Sequence, residues 1–593
     1  MLAENHMIAT SDHRNNKYRD VTLPMAVIVI AHLFLFIPVT LYLGNADEFV
    51  TPLWGMLRLL SIPALVLFLL LFILGKIFRG ELRRLHAILI AVIGLLIWFQ
   101  SSILNWDYGI LDGRGIDWSK YIWRGWLDLA IWIGAIFCGV AFYRRIGSII
   151  VQLACAVFAI QFATIVYSGI ENSDKLAKSK TGLRSSKSTL QEIYKFSSKN
   201  NIVHLMLDGF QADVFEELIG NKHVGKKYRM AFSGFEFYNE TLGTFPYTRF
   251  AVPAFLSGKI YQNDVPKNEF ITSVIKGKNI LNTASQFGYE VDIASGPLLG
   301  SWYANSNHKN SYVIPSSGSI DSESDNATKL LDLTLFRAVP HFIKKYVYNN
   351  QSWLLNAAFA GQEYLQHRYF SHTGFMIGLI ENITIDRASP VYKYIHIMNV
   401  HNPMVVTPDC RYAGSTMRAT RVRLTVQSKC TLDTIVKLFD KMKALGVYDN
   451  ALIVVHADHG GWAIPYRFKQ ILYWSSGEVI TPFAASLASP LLAIKPPNST
   501  KGDLKVSPVL ASLTDIPDTI SSIMKWGVDF GGESILELDA KAPRQRKFYY
   551  YTWQRDAWES EYTGPIQEFI IKGSHYETPW YAGRVIPPPL DRN

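Results

Sequence analysis

Apolar residues follow two different patterns along this chain, and the change comes near residue 170. Before it they gather into blocks of about 20, the length that crosses a bilayer as a helix. After it they come in short runs alternating with amphipathic stretches. The first pattern predicts five membrane helices, at 23–44, 53–75, 86–104, 125–143 and 147–169. A buried core helix explains one such block but not five in succession. The first block is long and no small-residue cleavage site clearly follows it, so it reads as an anchor rather than a cleaved signal.

The second pattern predicts strands at "NIVHLML", "YEVDIAS", "YKYIHIMN", "ALIVVHA" and "PLLAIK", and a helix over "CTLDTIVKLFDKMKALG". Strand and helix alternating in this way predict an α/β domain with a largely parallel sheet. Between the patterns lies "ENSDKLAKSKTGLRSSKSTLQEIYKFSSKN", rich in Lys and Ser, a linker whose charges suit either a solvated tether or anionic headgroups. The expected organisation is a tail at 1–22, the helices over 23–169, a basic linker at 170–200 and a single outer domain at 201–593.

Composition agrees with two parts. The chain has 593 residues, 49% of them hydrophobic, a net charge of +10 and four cysteines, which is too long for one compact domain and too apolar for an ordinary soluble protein. Charge then orients the helices. Arg14, Lys17 and Arg19 precede the first, Lys76, Arg79, Arg83 and Arg84 lie between the second and third, and Arg144 and Arg145 separate the fourth from the fifth. These connections mark the cytoplasmic side, and five spans carry the rest of the chain across. Outside the cytoplasm an oxidising compartment favours pairing Cys410 with Cys430.

Ligands of parallel sheets bind beyond the carboxyl ends of the strands. "NIVHLML" ends in Asp208-Gly209, "YKYIHIMN" leads to His401, and "ALIVVHA" ends in Asp458-His459-Gly460. Asp and His together suit a divalent cation such as Zn²⁺ or Mn²⁺. Thr248 stands just before a short helix that Pro253 is expected to interrupt, where its hydroxyl would lie beside unpaired backbone N–H groups, either as an N-cap or in a place that favours anions. Arg249 would add a second cation or point away. His204, His396 and His456 sit within strands and read as core or supporting residues rather than ligands. The aromatic stretches "FYYYTWQRDAWESEYTG" and "SHYETPWYAG" suit sugar stacking or ordinary packing.

Asp208-Gly209 ahead of a helix, then Thr248-x-x-x-Val252-Pro253 with Leu256 and Gly258, then His401-Asn-Pro403, then Asp458-His459-Gly460, is similar to the alkaline phosphatase and sulfatase superfamily. Together with five preceding helices, it resembles the membrane-anchored phosphoethanolamine and phosphoglycerol transferases, including lipoteichoic acid synthase. The resemblance implies Thr248 as nucleophile, with Asp208, Asp458, His459 and the Thr248 oxygen holding one Zn or Mn ion. It places His401 on the transferred phosphoryl group or its leaving oxygen, and gives Asp515 in "SLTDIPDTI" a packing role. The first ligand is Asp, as in sulfatases, where these transferases usually have Glu. No histidine occurs in "GWAIPYRFKQILYWSS", where a second metal would take one, so one ion is expected. Thr248-Arg249-Phe250-Ala251 does not match the formylglycine pattern of sulfatases.

The expected activity is transfer of a phosphoethanolamine or phosphoglycerol group from a phospholipid to an envelope glycan or glycolipid, through a phosphothreonine intermediate. A sulfate or phosphate ester hydrolase and a catalytically silent lipid-binding regulator are the alternatives. The expected location is the inner membrane with a periplasmic C-terminal domain, and no nucleic-acid partner is expected.

Overall fold

The computed structural model describes residues 19–45, 51–108, 116, 118–173, 187–303, 306, 308–315, 323–349, 352–355, 368–480, 483–499, 502–553 and 560–589. Most of the expected tail and residues 174–186 of the linker lie outside the described residues, while the rest of the linker is not a plain tether: helix Lys187–Ile193 and strand Lys195–Ser197 bury Ile193 and Phe196 in the core of the second unit. By contact the chain forms two units, Met1–Arg184 with Ser319–Glu363, and Ser185–Gly318 with Tyr364–Asn593.

Among the described residues of the first unit five helices are long and apolar enough to cross a membrane: Thr22–Gly44, Leu53–Ile77, Gly80–Ser102, Trp118–Ala141 and Tyr143–Glu171. A helix satisfies its own backbone, which lipid cannot do, so apolar stretches of this length fold this way. The third and fifth begin earlier than the apolar blocks predict, so that Arg83, Arg84, Arg144 and Arg145 are helical. Long basic side chains can extend from a helix end toward the aqueous boundary, so charge there does not stop the helix.

The expected single block at 201–593 is interrupted. Helix Glu323–Ala338 packs Ala327 and Leu330 against Val39, Tyr42, Leu53, Met56 and Leu60 of the first two apolar helices. The following helix, His341–Val347, is tied to the fourth by buried Asp128, which accepts from the His341 backbone N–H at 2.9 Å, Gln100 Nε2 at 3.1 Å and Trp106 Nε1 at 2.9 Å. Three donors compensate a carboxylate that would otherwise be costly within an apolar helix. The insert escapes hydropathy because its longer helix has 16 residues with charged positions among the apolar ones.

The second unit is built on an eight-stranded sheet. Its strands are β1 (Asn201–Leu207), β2 (Glu236–Tyr238), β3 (Glu290–Ser295), β4 (Asn310–Val313), β5 (Val391–Ile397), β6 (Leu452–His456), β7 (Leu492–Lys495) and β8 (Lys505–Ser507), in the order β8-β2-β7-β6-β1-β5-β3-β4. Only β7 runs against the others, so the sheet is largely parallel as predicted. Buried on both faces, these strands are near-continuous apolar runs, the form parallel sheets require. Helices α1 (Ala212–Gly220), α3 (Arg368–Asn382) and α4 (Arg421–Ala444) cover one face, while α2 (Thr248–Ser257) packs in the core on the other. Pro253 does not interrupt α2. It forfeits one backbone bond, but Val252, Phe255 and Leu256 around it are fully buried and hold the turn.

Downstream, Asp515 forms a capping box with Ser512 and takes Arg544 Nη1 at 2.5 Å and Nη2 at 2.8 Å, a structural role. A second sheet, β9 (Gln545–Tyr550), β10 (Ile566–Lys572) and β11 (Trp580–Ile586), is antiparallel. Most aromatics of the two C-terminal aromatic stretches are core here: Phe548, Tyr549, Tyr550, Tyr551, Tyr576 and Trp580 are buried.

Cys410 and Cys430 are bonded, and α4 begins at Arg421, ahead of the expected start, so that Cys430 lies in its interior. The bridge spans 20 residues, so replacing both cysteines by serine should lower unfolding free energy by about 3 kcal/mol in the chain-entropy account. Denaturant unfolding of the detergent-solubilised chain measures this. An unchanged midpoint would mean that the bridge does not constrain the unfolded chain.

Candidate active site

Register brings the site together. β1 pairs in parallel with β6, setting Met206 against His456, and with β5, setting Met206 against His396. Asp208 and Asp458 each follow that level by two residues, so neighbouring strands deliver both carboxylates to one edge. At the turn after β1, Gly209 adopts φ +72°, a conformation open to glycine without strain. A Cβ there would lie 3.9 Å from His459 Cε1 and 4.0 Å from the His401 Cα, which places Gly209 between the two imidazole-bearing loops. Gly460 answers to a different constraint: a Cβ there would fall 1.8 Å from the Ser486 carbonyl oxygen. The abrupt end of β6 in "DHGG" thus reflects a backbone that must pass another one closely while presenting two polar side chains.

Asp208, Asp458 and His459 are buried, and each offers a ligand atom within 4.8 Å of the others. His459 Nδ1–H donates to the Gly460 carbonyl at 2.7 Å, which turns Nε2 toward Asp208 Oδ1 at 3.7 Å and Asp458 Oδ2 at 3.6 Å. Neither of those oxygens has a hydrogen-bond partner among the described residues. Two buried carboxylate oxygens without donors are costly unless a cation faces them, so this donor set fits a divalent ion. The electrostatics agree. Burial pulls the His459 imidazole down, yet Asp458 and Asp208 prevail and raise it. Burial raises Asp208, but the charge of His401, the bond from His396 and the charge of His459 hold it well below the usual carboxylate range.

Thr248 is the first residue of α2, not its cap; Tyr247 precedes it without a capping side chain. Its Oγ1 donates toward Asp208 Oδ2 at 3.5 Å, so the hydroxyl stands at the carboxylate cluster and at the electropositive end of a helix. His401 lies beyond β5, with Nδ1 2.7 Å from the Asn402 carbonyl oxygen and 3.4 Å from Arg368 Nη1. Burial lowers its imidazole and Asp208 partly restores it. Arg249 is half-buried, depressed by burial with Tyr551 opposing. Its charge also helps burial push Lys267 down to about 8.

Sequence reading misses two residues. His396 Nε2 donates to Asp208 Oδ2 at 3.0 Å, a role visible only through the pairing of β5 with β1. Arg368, at the start of α3, reaches His401 from a distant segment. His204 and His456 instead bond each other at 2.7 Å within the core, beside Tyr392 and Phe255.

Residues 200–526 match the sulfatase family. No match is found among curated proteins. Solved structures that the chain resembles include the lipoteichoic acid synthase LtaP from Listeria monocytogenes, at 12% identity over 67% of this chain and 92% of that one, with a TM-score of 0.38. The C-terminal periplasmic domain of EcEptC from Escherichia coli is 9% identical over 55% of this chain and 82% of that one, with a TM-score of 0.32. Ps i-CgsB, in complex with k-i-k-neocarrahexaose, is 13% identical over 65% of this chain and 86% of that one, with a TM-score of 0.40. Since the family match spans more than half of the sequence and takes in Asp208, Thr248, His401, Asp458 and His459, this chain belongs to the sulfatase family.

Proposed function

We propose that the protein transfers a phosphoethanolamine or phosphoglycerol group from a phospholipid to an envelope glycan or glycolipid, with its catalytic unit outside the cytoplasm of an inner membrane. The observation that carries this reading is Thr248 Oγ1 at the Asp208–Asp458–His459 cluster in a chain that also has five helices long enough to span a bilayer. A hydrolase of soluble esters has no need of those helices. A transferase using a lipid donor must work at headgroup level and return diacylglycerol to the bilayer.

Asp208, Asp458, His459 and the Thr248 oxygen would hold one Zn²⁺ or Mn²⁺. Such a cation favours the alkoxide form of a bound hydroxyl and neutralises charge on phosphoryl oxygens. Thr248 Oγ1 displaces diacylglycerol from phosphorus, leaving a phosphothreonine ester that carries the headgroup. With His401 Nδ1–H donating to the Asn402 carbonyl, the ring enters the first displacement as the imidazolium and gives its Nε2 proton to the departing oxygen. An acceptor hydroxyl then gives a proton to Nε2 as it displaces Thr248. Positioned proton transfer of this kind contributes about 10²–10⁴-fold. Arg368, whose Nη1 lies 3.4 Å from Nδ1, acts on His401 by its charge, which disfavours the imidazolium and so favours release of the proton, and His396 fixes the rotamer of Asp208. Arg249, next to the nucleophile in the chain, would add a second cation to the transferred group.

Headgroup-labelled phosphatidylethanolamine or phosphatidylglycerol, supplied without acceptor, should leave its label on the peptide containing Thr248. Peptide mapping by mass spectrometry reads this out. Rapid release of free headgroup phosphate with no labelled peptide would instead favour a phosphoester hydrolase.

A further inference from the structure

The segment that leaves the site at Gly461 carries apolar residues on both of its sides. Phe468, Leu472 and Ile480 pack inward with Phe548, Phe569 and Trp580 on the small sheet. Outward positions of a loop so anchored are ordinarily polar. Here Ile464, Tyr466, Ile471, Tyr473 and Val479 face out, with Tyr466 70%, Ile471 64% and Val479 62% exposed. Their positions are fixed by bonding rather than left to a mobile tail. Tyr473 bridges to Val479 across a turn. Gln470 donates to the Thr578 carbonyl at 2.6 Å and accepts from the Trp580 N–H at 3.2 Å, and Ser475 donates to Gln567 Oε1 from Oγ at 2.7 Å and from its backbone N–H at 2.9 Å. The loop therefore runs beside β11, where Tyr581 and Val585 are exposed too.

We propose that this face docks on the surface of a phospholipid bilayer, seating Ile471, Tyr473 and Val479 at headgroup level. Three observations favour lipid over a second copy of the chain. Five helices long enough to span a bilayer belong to the same polypeptide, so the bilayer is present at high effective concentration. The outward apolar side chains are interspersed with exposed Lys469, Ser475, Ser476 and Glu478, the mixed pattern of a shallow interfacial contact rather than the dry centre of a protein interface. Tyr, prominent on this face, combines an apolar ring with a polar tip and favours the membrane–water boundary.

The use of this contact rests on the phospholipid-donor reading. The loop begins directly after Asp458-His459-Gly460-Gly461, so docking it holds the carboxylate cluster close to the headgroups it would act on. The existence of the contact does not depend on that reading.

The test uses the full chain in nanodiscs of phosphatidylethanolamine and phosphatidylglycerol. The exposed cysteines are removed as Cys138→Ser and Cys155→Ser, and a fluorophore is placed at Ile471→Cys. A control label goes at Lys222→Cys, just past the end of α1, which returns from the site to the opposite edge of the sheet. Lipid carrying a nitroxide near its headgroup should quench the Ile471→Cys label at least about threefold more than the control, with an aqueous quencher giving the reverse order. Equal access of the aqueous quencher to both labels would overturn the proposal. So would shielding of the Ile471→Cys label from both quenchers, which would point to a second copy of the chain. In the same discs, the Ile471→Ser, Tyr473→Ser, Val479→Ser triple variant should raise KM for long-chain phospholipid about tenfold, with turnover of a dissolved short-chain analogue unchanged. An unchanged KM for the long-chain lipid would also count against docking. If no phospholipid is turned over at all, the donor reading fails while the quenching pattern still decides the contact.

Discussion

Replacing Thr248 by Ala should abolish diacylglycerol release from phospholipid, a loss of roughly 10⁴-fold or more, while leaving the catalytic unit folded. The fold should survive because the hydroxyl has little structural work. Thr248 is half-exposed at the first position of α2, the helix is fixed by Val252, Phe255 and Leu256, and the substitution removes one long hydrogen bond to Asp208, at 3.5 Å. The chemical loss is large because the attacking oxygen itself is gone. Thr248→Ser restores an attacking oxygen and should recover measurable turnover, at the cost of the methyl group that limits its rotamers. Single-turnover assays with labelled lipid separate the two variants, and circular dichroism verifies the fold. Full activity in Thr248→Ala would eliminate the covalent route, whatever the metal content.

How far such residues can be found from sequence depends on the range of the interaction. The five strand candidates are strands because their short runs are rich in apolar residues, with the buried Asp292 and Lys393 of two neighbouring strands paired to each other at 2.7 Å, and Asp208, Asp458 and His459 follow from where the runs stop. His396 was not legible as a site residue. Within "VYKYIHIMN" it alternates like any core position, and only pairing with Met206 puts its ring beside Asp208. Arg368 is similarly set by the packing of α3. The insert at 323–349 defeats hydropathy for another reason: it is too short and too mixed to look like a span, yet its apolar face meets the apolar helices. Among the aromatics, composition did not separate Tyr550 and Tyr576, which are buried, from Tyr581, which is exposed. Sequence therefore reports most reliably on what a strand does by itself, and least on what its neighbours make of it.

The carboxylates make a further prediction, in which one substitution changes sign with conditions. In protein stripped of divalent ions, Asp208 Oδ1 and Asp458 Oδ2 are buried oxygens with no hydrogen-bond donor among the described residues, and His459 Nε2 stands 3.6–3.7 Å from them. Asp458→Asn removes one of two close negative charges there. Its main expense is a weakened acceptor for the Gly209 N–H, which now reaches Asp458 Oδ1 at 3.4 Å, a long bond and so no more than about 1 kcal/mol. The stripped variant should accordingly be as stable as the stripped parent or more so, as expected when an uncompensated buried charge is removed. Adding Zn²⁺ or Mn²⁺ should reverse the order. At a concentration 100-fold above its dissociation constant, an ion that binds only the folded chain stabilises the parent by about 2.7 kcal/mol. The variant, short of one anionic ligand, should gain much less and lose its bound ion on desalting. Thermal unfolding with and without added ion, paired with elemental analysis of the desalted proteins, reads both halves. Equal stabilisation of parent and variant, together with equal retained metal, would place the cation somewhere other than the Asp208–Asp458–His459 cluster and leave the two orphaned oxygens to a bound water instead.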